Sequence, residues 1–244
     1  MIESPEKRRY LSRIQKWRIS WERKRNLQRF AHLADERVID WGWDQIPYNR
    51  LALVSKLIGA KRHPSYLEIG CANDVLFNSV PALHKVGVDP LSGGTIRDTS
   101  DNFFATNTQT FDVIFVDGLH TYHQVRRDIN NSLAILNDGG WIAFHDSLPA
   151  TWLEQHVPNM SRGDWTGDVW KVAFELAQTP GIEFRLARID HGVGVLRKLT
   201  SGPIRLTDLR SDLDDRHFTY YFDNLASLPV TNFEDVAKWI ESSN

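Results

Sequence analysis

The sequence is poor in the residues that mark secreted and membrane-spanning proteins. Its 244 residues include one cysteine, Cys71, so no disulfide forms within the chain, as is usual in a reducing cytoplasm. No apolar run is long enough to cross a bilayer, and the charged first residues lack the pattern of a signal peptide. We therefore expect a cytoplasmic protein without a transmembrane segment.

Extremes of charge and composition are also absent. The net charge is -2, which argues against a generally basic nucleic-acid binder and leaves room only for local basic patches. Hydrophobic residues make up 41% and charged residues 25%, as in an ordinary globular domain. The nine tryptophans are an excess, and they suit either core packing or a sugar-binding site.

The start of the chain is predicted to be a basic helix, from Pro5 to about Glu36. Apolar residues recur along it at three- and four-residue steps, namely Tyr10, Leu11, Ile14, Trp17 and Trp21. The other face is basic, with Lys7, Arg8, Arg9, Arg13, Lys16, Arg18, Arg23, Lys24 and Arg25. Such a helix could lie on an anionic surface, on a partner subunit or over the mouth of a site, or it could be a solvated charged face. With a second helix over Tyr48 to Ile58, residues 1–60 are predicted to form an N-terminal helical cap, and we expect a homodimer.

The centre of the chain alternates short strand patterns with helical ones. Strands are predicted at Ser65 to Gly70, Lys85 to Pro90, Asp112 to Asp117 and Trp141 to Asp146, with a weaker one at Gly94 to Ser100. A helix is predicted from Tyr122 to Leu136. This alternation predicts an α/β fold, a parallel sheet with helices on both faces, whose ligands bind beyond the carboxyl ends of the strands. Polar residues stand at those ends, namely Glu68, Asp89, Asp117, His145 and Asp146.

Two further patterns complete the expected fold. Residues 182–198 read as two strands joined at Asp190 to Gly192, an antiparallel hairpin at the sheet edge. Thr231 and Glu234 have the spacing of a capping box and predict a last helix. We expect the core to span residues 61–200 and an extension with the final helix to span residues 201–244.

A turn with a single glycine follows the first central strand. Gly70 allows the tight turn, and Asp89 ends the next strand, where a carboxylate can accept both hydroxyls of a ribose. The phosphates of a dinucleotide need more glycines at such a turn. Cys71, Ala72 and Asn73 therefore argue against a nicotinamide-dependent oxidoreductase.

The segments LEIGCANDVLF and VGVDP resemble motifs I and II of the class I S-adenosylmethionine-dependent methyltransferases, although that family usually has more glycines in the turn. The resemblance implies a Rossmann-like class I methyltransferase fold, with a seven-stranded mostly parallel sheet, an antiparallel edge hairpin and extra N-terminal helices. It implies S-adenosylmethionine as the cofactor, with its methionine part near the turn, its ribose at Asp89 and its adenine near Ser100 and Asp101. The implied cofactor-binding residues are Glu68, Gly70, Cys71, Asn73, Asp89, Ser100, Asp101 and Asp117.

The stretch from Phe111 to Pro149 resembles a bacterial branch of these enzymes that modifies sugars, polysaccharides and secondary metabolites. Similar O-methyltransferases are metal dependent and carry an aspartate after the fourth strand and an acidic residue after the fifth. This implies Asp117 and Asp146 as ligands of Mg²⁺ or Mn²⁺. A metal suits the chemistry, because a sugar hydroxyl attacks a sulfonium methyl poorly unless a cation stabilises the developing alkoxide.

Two histidines beside these aspartates are candidate general bases, since imidazole titrates near neutral pH. His145 is favoured over His120, because it would project from a rigid strand end. Strand alternation opposes this choice: if Asp146 faces the site from a regular strand, His145 points elsewhere, unless the strand has already ended. A buried structural histidine at 145, and helix capping or a surface position at 120, are the alternatives.

Asp168, Trp170 and Lys171 are candidate acceptor-binding residues, because an aromatic face stacks on a pyranose ring while charged groups bond its hydroxyls. Capping and packing of a helix explain them equally well. We expect an enzyme that moves a methyl group from S-adenosylmethionine to a hydroxyl of a saccharide or glycosylated metabolite, with a divalent metal and a histidine base. The alternatives are a nucleic-acid or protein methyltransferase and a non-catalytic cofactor-binding module.

Overall fold

A computed structural model describes residues 13–243 of the chain. The part of the predicted basic helix before Arg13 lies outside the described residues. The first helix, α1, spans Arg13–Arg29, and a 3-10 turn follows at Ala31–Leu33, so the helix ends sooner than Glu36. Within the described range, no helix is both long and apolar enough to cross a membrane.

A seven-stranded mixed sheet forms the centre of the protein. Its strands are β1 (Ser65–Ile69), β2 (His84–Val88), β3 (Phe111–Val116), β4 (Leu136–Phe144), β5 (Ile182–Ala187), β6 (Val193–Lys198) and β7 (Val230–Thr231). Their spatial order is β2-β1-β3-β4-β6-β5-β7. Strands β1 to β4 are parallel, whereas β6 is antiparallel to both β4 and β5. The predicted seven-stranded, mostly parallel sheet is therefore confirmed.

Two details of the sheet differ from the prediction. The β5–β6 hairpin lies one strand inside the edge, because the short β7 pairs in parallel with β5. The weak strand expected at Gly94 to Ser100 is reduced to a single bridge between Val88 and Ile96.

Nine further α-helices surround the sheet in the described part of the chain: α2 (Arg50–Gly59), α3 (Val75–Ser79), α4 (Ser100–Thr106), α5 (Tyr122–Ile135), α6 (Trp152–Gln155), α7 (Trp170–Ala177), α8 (Arg210–Leu213), α9 (Phe218–Asn224) and α10 (Phe233–Ser242). The predicted second helix, long central helix and final helix correspond to α2, α5 and α10. The cap of α10 is Asn232 rather than Thr231, since the Asn232 side chain accepts a 2.8 Å hydrogen bond from the Asp235 N–H. The division of the chain at residues 60 and 200 stays a prediction.

Alternate side chains of the central strands are buried on opposite faces of the sheet. Leu67 and Ile114 pack in one cluster with residues of α5, α7 and α9. Tyr66 and Phe115 pack in a second cluster with residues of α2, α3 and α10. Burial on both faces explains why these strands are almost wholly apolar. The polar groups follow where the strands end.

Candidate functional site

Four ionisable side chains meet beyond the carboxyl ends of β3 and β4. Asp117 follows β3, His120 lies in the turn before α5, and His145 and Asp146 follow β4. The Nε2 atom of His120 lies 3.3 Å from Asp117 Oδ1, and its Nδ1 atom lies 2.9 Å from Asp146 Oδ2. The structure therefore brings together all four residues predicted to hold the metal or act as the base.

His145 reaches the cluster because β4 ends before it. Asp146 has a φ of 64°, a left-handed conformation that breaks the strand alternation. His145 Nδ1 lies 3.1 Å from Asp146 Oδ1 and 3.5 Å from Asp117 Oδ1. Its side chain is only 3% exposed, whereas that of His120 is 25% exposed. Of the two candidate bases, His120 is thus the one that solvent or a substrate can reach.

Asp117, His120 and Asp146 have the chemistry of a metal site. Each offers one ligand atom, and these atoms all lie within 4.8 Å of one another. Two carboxylates with water ligands suit Mg²⁺ or Mn²⁺, and an added imidazole favours Mn²⁺ or Zn²⁺. The donor set therefore fits a divalent cation, and the predicted role of Asp117 and Asp146 as its ligands stays a prediction.

Opposite charges shift the pKa of every member of this cluster. Burial by itself would lower the pKa of His120, but Asp146 and Asp117 outweigh it and raise the pKa to about 10. They also raise the pKa of His145 well above its usual value, again against burial. Burial would raise the pKa of both aspartates, but the two histidines lower each below its usual value. Without a bound ion, the two histidines thus carry positive charge and the two aspartates carry negative charge.

Arg50 and Asp190 extend the cluster, and neither was predicted to belong to it. Arg50, the first residue of α2, places Nη1 2.5 Å from Asp117 Oδ2 and Nε 2.7 Å from Asp190 Oδ2. Asp190 lies in the β5–β6 turn with a φ of 44°, and its Oδ1 is 3.6 Å from His145 Nε2. The left-handed conformation of Asp190 is visible only in the structure, so its place in the predicted turn was the one signal that the sequence offered. No motif in the sequence marks Arg50.

The Gly70 turn lies directly against the same cluster. Gly70 has a φ of 90°, and a Cβ atom there would come within 2.1 Å of the Asp117 carbonyl oxygen. Only glycine allows both this backbone conformation and this close approach. The turn predicted to hold the methionine part of the cofactor therefore adjoins the predicted metal ligand.

Asp89 organises the two loops that flank the predicted ribose site. Its Oδ2 accepts a hydrogen bond from Ala72 N, and its Oδ1 accepts from Leu91 N and Ser92 N, at distances of 3.0, 2.7 and 2.8 Å. A carboxylate oxygen has two lone pairs, so Oδ2 keeps acceptor capacity for a hydroxyl. The residue fits a ribose ligand, and its role stays a prediction.

Three other residues predicted to bind the cofactor have different surroundings. Glu68 is 2% exposed and accepts a 2.6 Å hydrogen bond from the Tyr66 hydroxyl. Burial raises the pKa of Glu68 to about 7, against the opposing effect of that bond. Cys71 is buried beneath the turn, which raises the pKa of its thiol, whereas Asn73 is exposed. Glu68 and Cys71 therefore lie in the protein interior, whereas Asn73 lies on the surface.

Ser100 and Asp101, the predicted adenine neighbours, begin α4. The Gln124 side chain from α5 donates hydrogen bonds of 3.2 Å to both Ser100 Oγ and Asp101 Oδ1. These contacts tie α4 to the helix that follows His120. Their relation to a cofactor stays a prediction.

Of the predicted acceptor residues, Trp170 and Lys171 are buried and Asp168 is partly exposed. Trp170 has no exposed surface, and its indole N–H donates to Gln155 Oε1 at 3.0 Å. Lys171 is 3% exposed and pairs with Asp168 at 3.2 Å. Asp168 in turn accepts a 2.7 Å hydrogen bond from Tyr122 N at the start of α5. Packing and capping account for all three, so their placement does not support an acceptor role.

A different group of side chains borders the histidines, of which Asp164 is exposed and the others are partly exposed. The Trp165 ring stacks on His120, with centroids 5.5 Å apart and planes 21° apart. His191 lies 6.5 Å from His145 and 5.6 Å from Trp43 between ring centroids, and its Nε2 is 3.9 Å from Asp164 Oδ2. Gly167 fixes the Trp165 segment, because a Cβ atom there would lie 1.7 Å from the His120 carbonyl oxygen. We call Trp43, Asp164, Trp165 and His191 the aromatic rim.

Residues 75–147 match the family model of a methyltransferase domain. The matched segment contains β2, β3, α5 and β4, together with all four residues of the ionisable cluster. This match supports an S-adenosylmethionine-dependent methyltransferase. It covers less than half of the chain, and no curated protein matches the sequence.

Solved structures of similar fold share little sequence with the chain. Cofactor-bound Rv0187 from MTB has a TM-score of 0.47 and 12% identity, over 64% of this chain and 84% of that one. CalS10, an amino pentose methyltransferase from Micromonospora echinaspora, has a TM-score of 0.43 and 15% identity, over 66% and 92% of the two chains. MycE, a methyltransferase of the mycinamycin pathway in complex with Mg and SAH, has a TM-score of 0.39 and 15% identity, over 59% and 47%. These similarities concern the general fold and carry no information on the substrate of this chain.

Proposed function

We propose that this chain is an O-methyltransferase that transfers a methyl group from S-adenosylmethionine to a hydroxyl of a saccharide or glycosylated metabolite, with the help of a divalent metal. The observation that carries the proposal is the group of Asp117, His120 and Asp146, whose ligand atoms lie within 4.8 Å of one another. This group stands inside the segment that matches a methyltransferase domain.

Asp117 and Asp146 are the residues proposed to hold the metal. When bound there, the cation would lower the cost of the alkoxide that develops as the hydroxyl oxygen attacks. Arg50 occupies Asp117 Oδ2, so Asp117 Oδ1 remains on the side of the two histidines. Arg50 thereby fixes which carboxylate oxygen faces the reaction.

His120 is proposed as the general base, with Asp117 and Asp146 as the metal ligands, and this reverses the preference drawn from the sequence. Without a cation the two carboxylates raise the pKa of His120 to about 10, and a cation bound to them would offset their charge and lower that pKa towards the range of a base. It is the more exposed of the two histidines, and it lies between Asp117 and Asp146. His145 has carboxylate oxygens facing both ring nitrogens and almost no exposed surface. It is better suited to hold Asp146 and Asp190 in position than to exchange protons with a substrate.

The acceptor is proposed to lie against the aromatic rim rather than at Trp170. Trp165 covers one side of His120, and an aromatic face of this kind suits the apolar face of a sugar ring. Asp164 and His191 stand beside it and offer hydrogen-bond partners for hydroxyl groups. Remote contacts of this kind hold the attacking oxygen in line with the sulfonium methyl.

The test is calorimetric titration of the full chain with S-adenosylhomocysteine, and separately with Mn²⁺ and Mg²⁺. We expect binding of S-adenosylhomocysteine, and metal binding that is lost in Asp146→Asn. The exposed Asp138, which lies outside the cluster, provides the matched control Asp138→Asn, and this variant should bind metal normally. Cofactor binding without any metal binding would remove the metal from the proposal. Failure of S-adenosylhomocysteine to bind under every condition would remove the methyltransferase function itself.

A further inference from the structure

Two tryptophans stand on the outer side of α1. Trp17 is 67% exposed and Trp21 is 49% exposed. They are four residues apart, so their rings lie one turn apart on the same side of the helix. Together they form a short aromatic ridge that the rest of the described protein leaves uncovered.

The opposite side of α1 is the one that packs on the protein. Ile19, Arg23 and Leu27 are partly buried there, and Arg23 Nε donates a 2.6 Å hydrogen bond to the Met160 carbonyl. At about 100° of rotation per residue, Trp21 lies roughly opposite the middle of this packed side. The ridge therefore points directly away from the body of the protein.

Exposed cations flank the ridge on both sides. They are Arg18, Lys24, Arg25 and Arg29, against a single acidic residue, Glu22, over the same range. The Arg25 guanidinium lies 5.4 Å from the centre of the Trp21 ring. Positive charge is thus concentrated on this surface in a chain whose net charge is -2.

We infer that the outer face of α1 docks on an anionic lipid bilayer, with Trp17 and Trp21 in the interfacial layer and the basic residues over the headgroups. Tryptophan favours this layer, because its ring is apolar while its N–H remains hydrated. Basic side chains near a membrane gain from its negative surface potential. The helix is far too polar to cross the bilayer, so it lies in the plane of the interface.

Charge and shape favour a lipid surface over two other partners. A second copy of the same face would bring like charges together, which opposes a symmetric contact. Single-stranded nucleic acid is usually held in a positively charged groove with stacking platforms, whereas this ridge is convex. A soft, flat, anionic surface accommodates a convex ridge of indoles and cations.

The experiment is co-sedimentation of the full chain with vesicles of phosphatidylcholine alone, and with vesicles that also contain phosphatidylglycerol. We expect sedimentation only with phosphatidylglycerol, weakened by salt. The double variant Trp17→Ser/Trp21→Ser should weaken partitioning by about tenfold or more. Arg18→Gln and Lys24→Gln should each weaken it by about fivefold.

Matched controls come from exposed residues elsewhere. Leu83 is 80% exposed, so Leu83→Ser removes a similar apolar side chain from another surface, and Arg62→Gln removes an exposed charge. Both should sediment like the unchanged protein. The inference is overturned if the unchanged protein stays in solution with both vesicles, or if the tryptophan variant sediments equally well. Loss of dimerisation, or of binding to an RNA oligonucleotide, in that variant without any vesicle binding would also overturn it.

Discussion

Glu68 offers a direct test of the electrostatics beneath the Gly70 turn. Its carboxyl is buried in β1, where its described hydrogen-bond donor is the Tyr66 hydroxyl at 2.6 Å. Burial raises its pKa from 4.5 to about 7, and the charges of Asp117 and Asp74 act in the same direction. The substitution Glu68→Gln keeps the shape and an acceptor for Tyr66 but cannot ionise. Glutamine therefore isolates the effect of the charge.

The size of the effect follows from proton linkage. Below pH 4.5 the carboxyl is protonated in both the folded and the unfolded protein, so its burial carries no ionisation cost. Between 4.5 and about 7 the folded state retains a proton that the unfolded state has lost, so stability falls as the pH rises. The difference between these pKa values, at 1.36 kcal/mol per pKa unit, corresponds to about 3 kcal/mol above pH 7.

The assay is urea unfolding of the ligand-free protein at a series of pH values from 4.5 to 8. We expect Glu68→Gln to become more stable relative to the unchanged protein as the pH rises. The difference between their free energies of unfolding should change by about 3 kcal/mol across this range. The exposed Glu36 supplies the control Glu36→Gln, whose curve should follow the unchanged protein. If the free energy of unfolding of Glu68→Gln also follows the unchanged protein at every pH, Glu68 ionises normally in the folded protein and the reasoning is refuted.

Two further predictions concern packing and capping, both measured by urea unfolding. Gly194→Ala would place a Cβ atom 2.1 Å from the Phe144 ring and should cost about 1–3 kcal/mol, whereas Gly59→Ala, with nothing within 4 Å of the added atom, should cost nothing. Equal free energies of unfolding for the two variants would show that the backbone at β6 shifts at little cost to accept the added atom. Asn232→Ala should lower the stability by about 1 kcal/mol, more than Thr231→Ala, because the Asn232 side chain caps α10. A larger loss of stability for Thr231→Ala would show that Thr231 caps the helix, as predicted from the sequence.

The fold was predictable because its central strands are buried on both faces. Apolar runs such as Val113 to Val116 admit few other structures when helical patterns alternate with them. The short helices α8 and α9 were missed, since four to seven residues give little periodicity to detect. The strand β7 was missed for the same reason, because it has two residues.

The ionisable cluster was predictable because it comes from neighbouring strands. Asp117 and Asp146 follow β3 and β4, and parallel strands present their carboxyl ends at one edge. Arg50 was not predictable, since it joins Asp117 from 67 residues away through a tertiary contact. Trp170 misled for a related reason, because a tryptophan beside charged residues has the same pattern whether it lines a cleft or, as here, packs in the core.

The unit β3–α5–β4 has a consequence for the order of folding. Asp117, His120 and Asp146 belong to one continuous segment of the chain. Their contacts are therefore local in sequence, and forming them costs little loop-closure entropy. Arg50 and a third aspartate, Asp190, join the cluster from distant parts of the chain. In a folding chain the two carboxylates would therefore meet with only the two histidines of the cluster as counter-charges, before Arg50 has docked on Asp117. If the cation of the proposed function is available at that stage, it would bind the partly folded protein and favour its completion, so the metal would affect folding as well as catalysis.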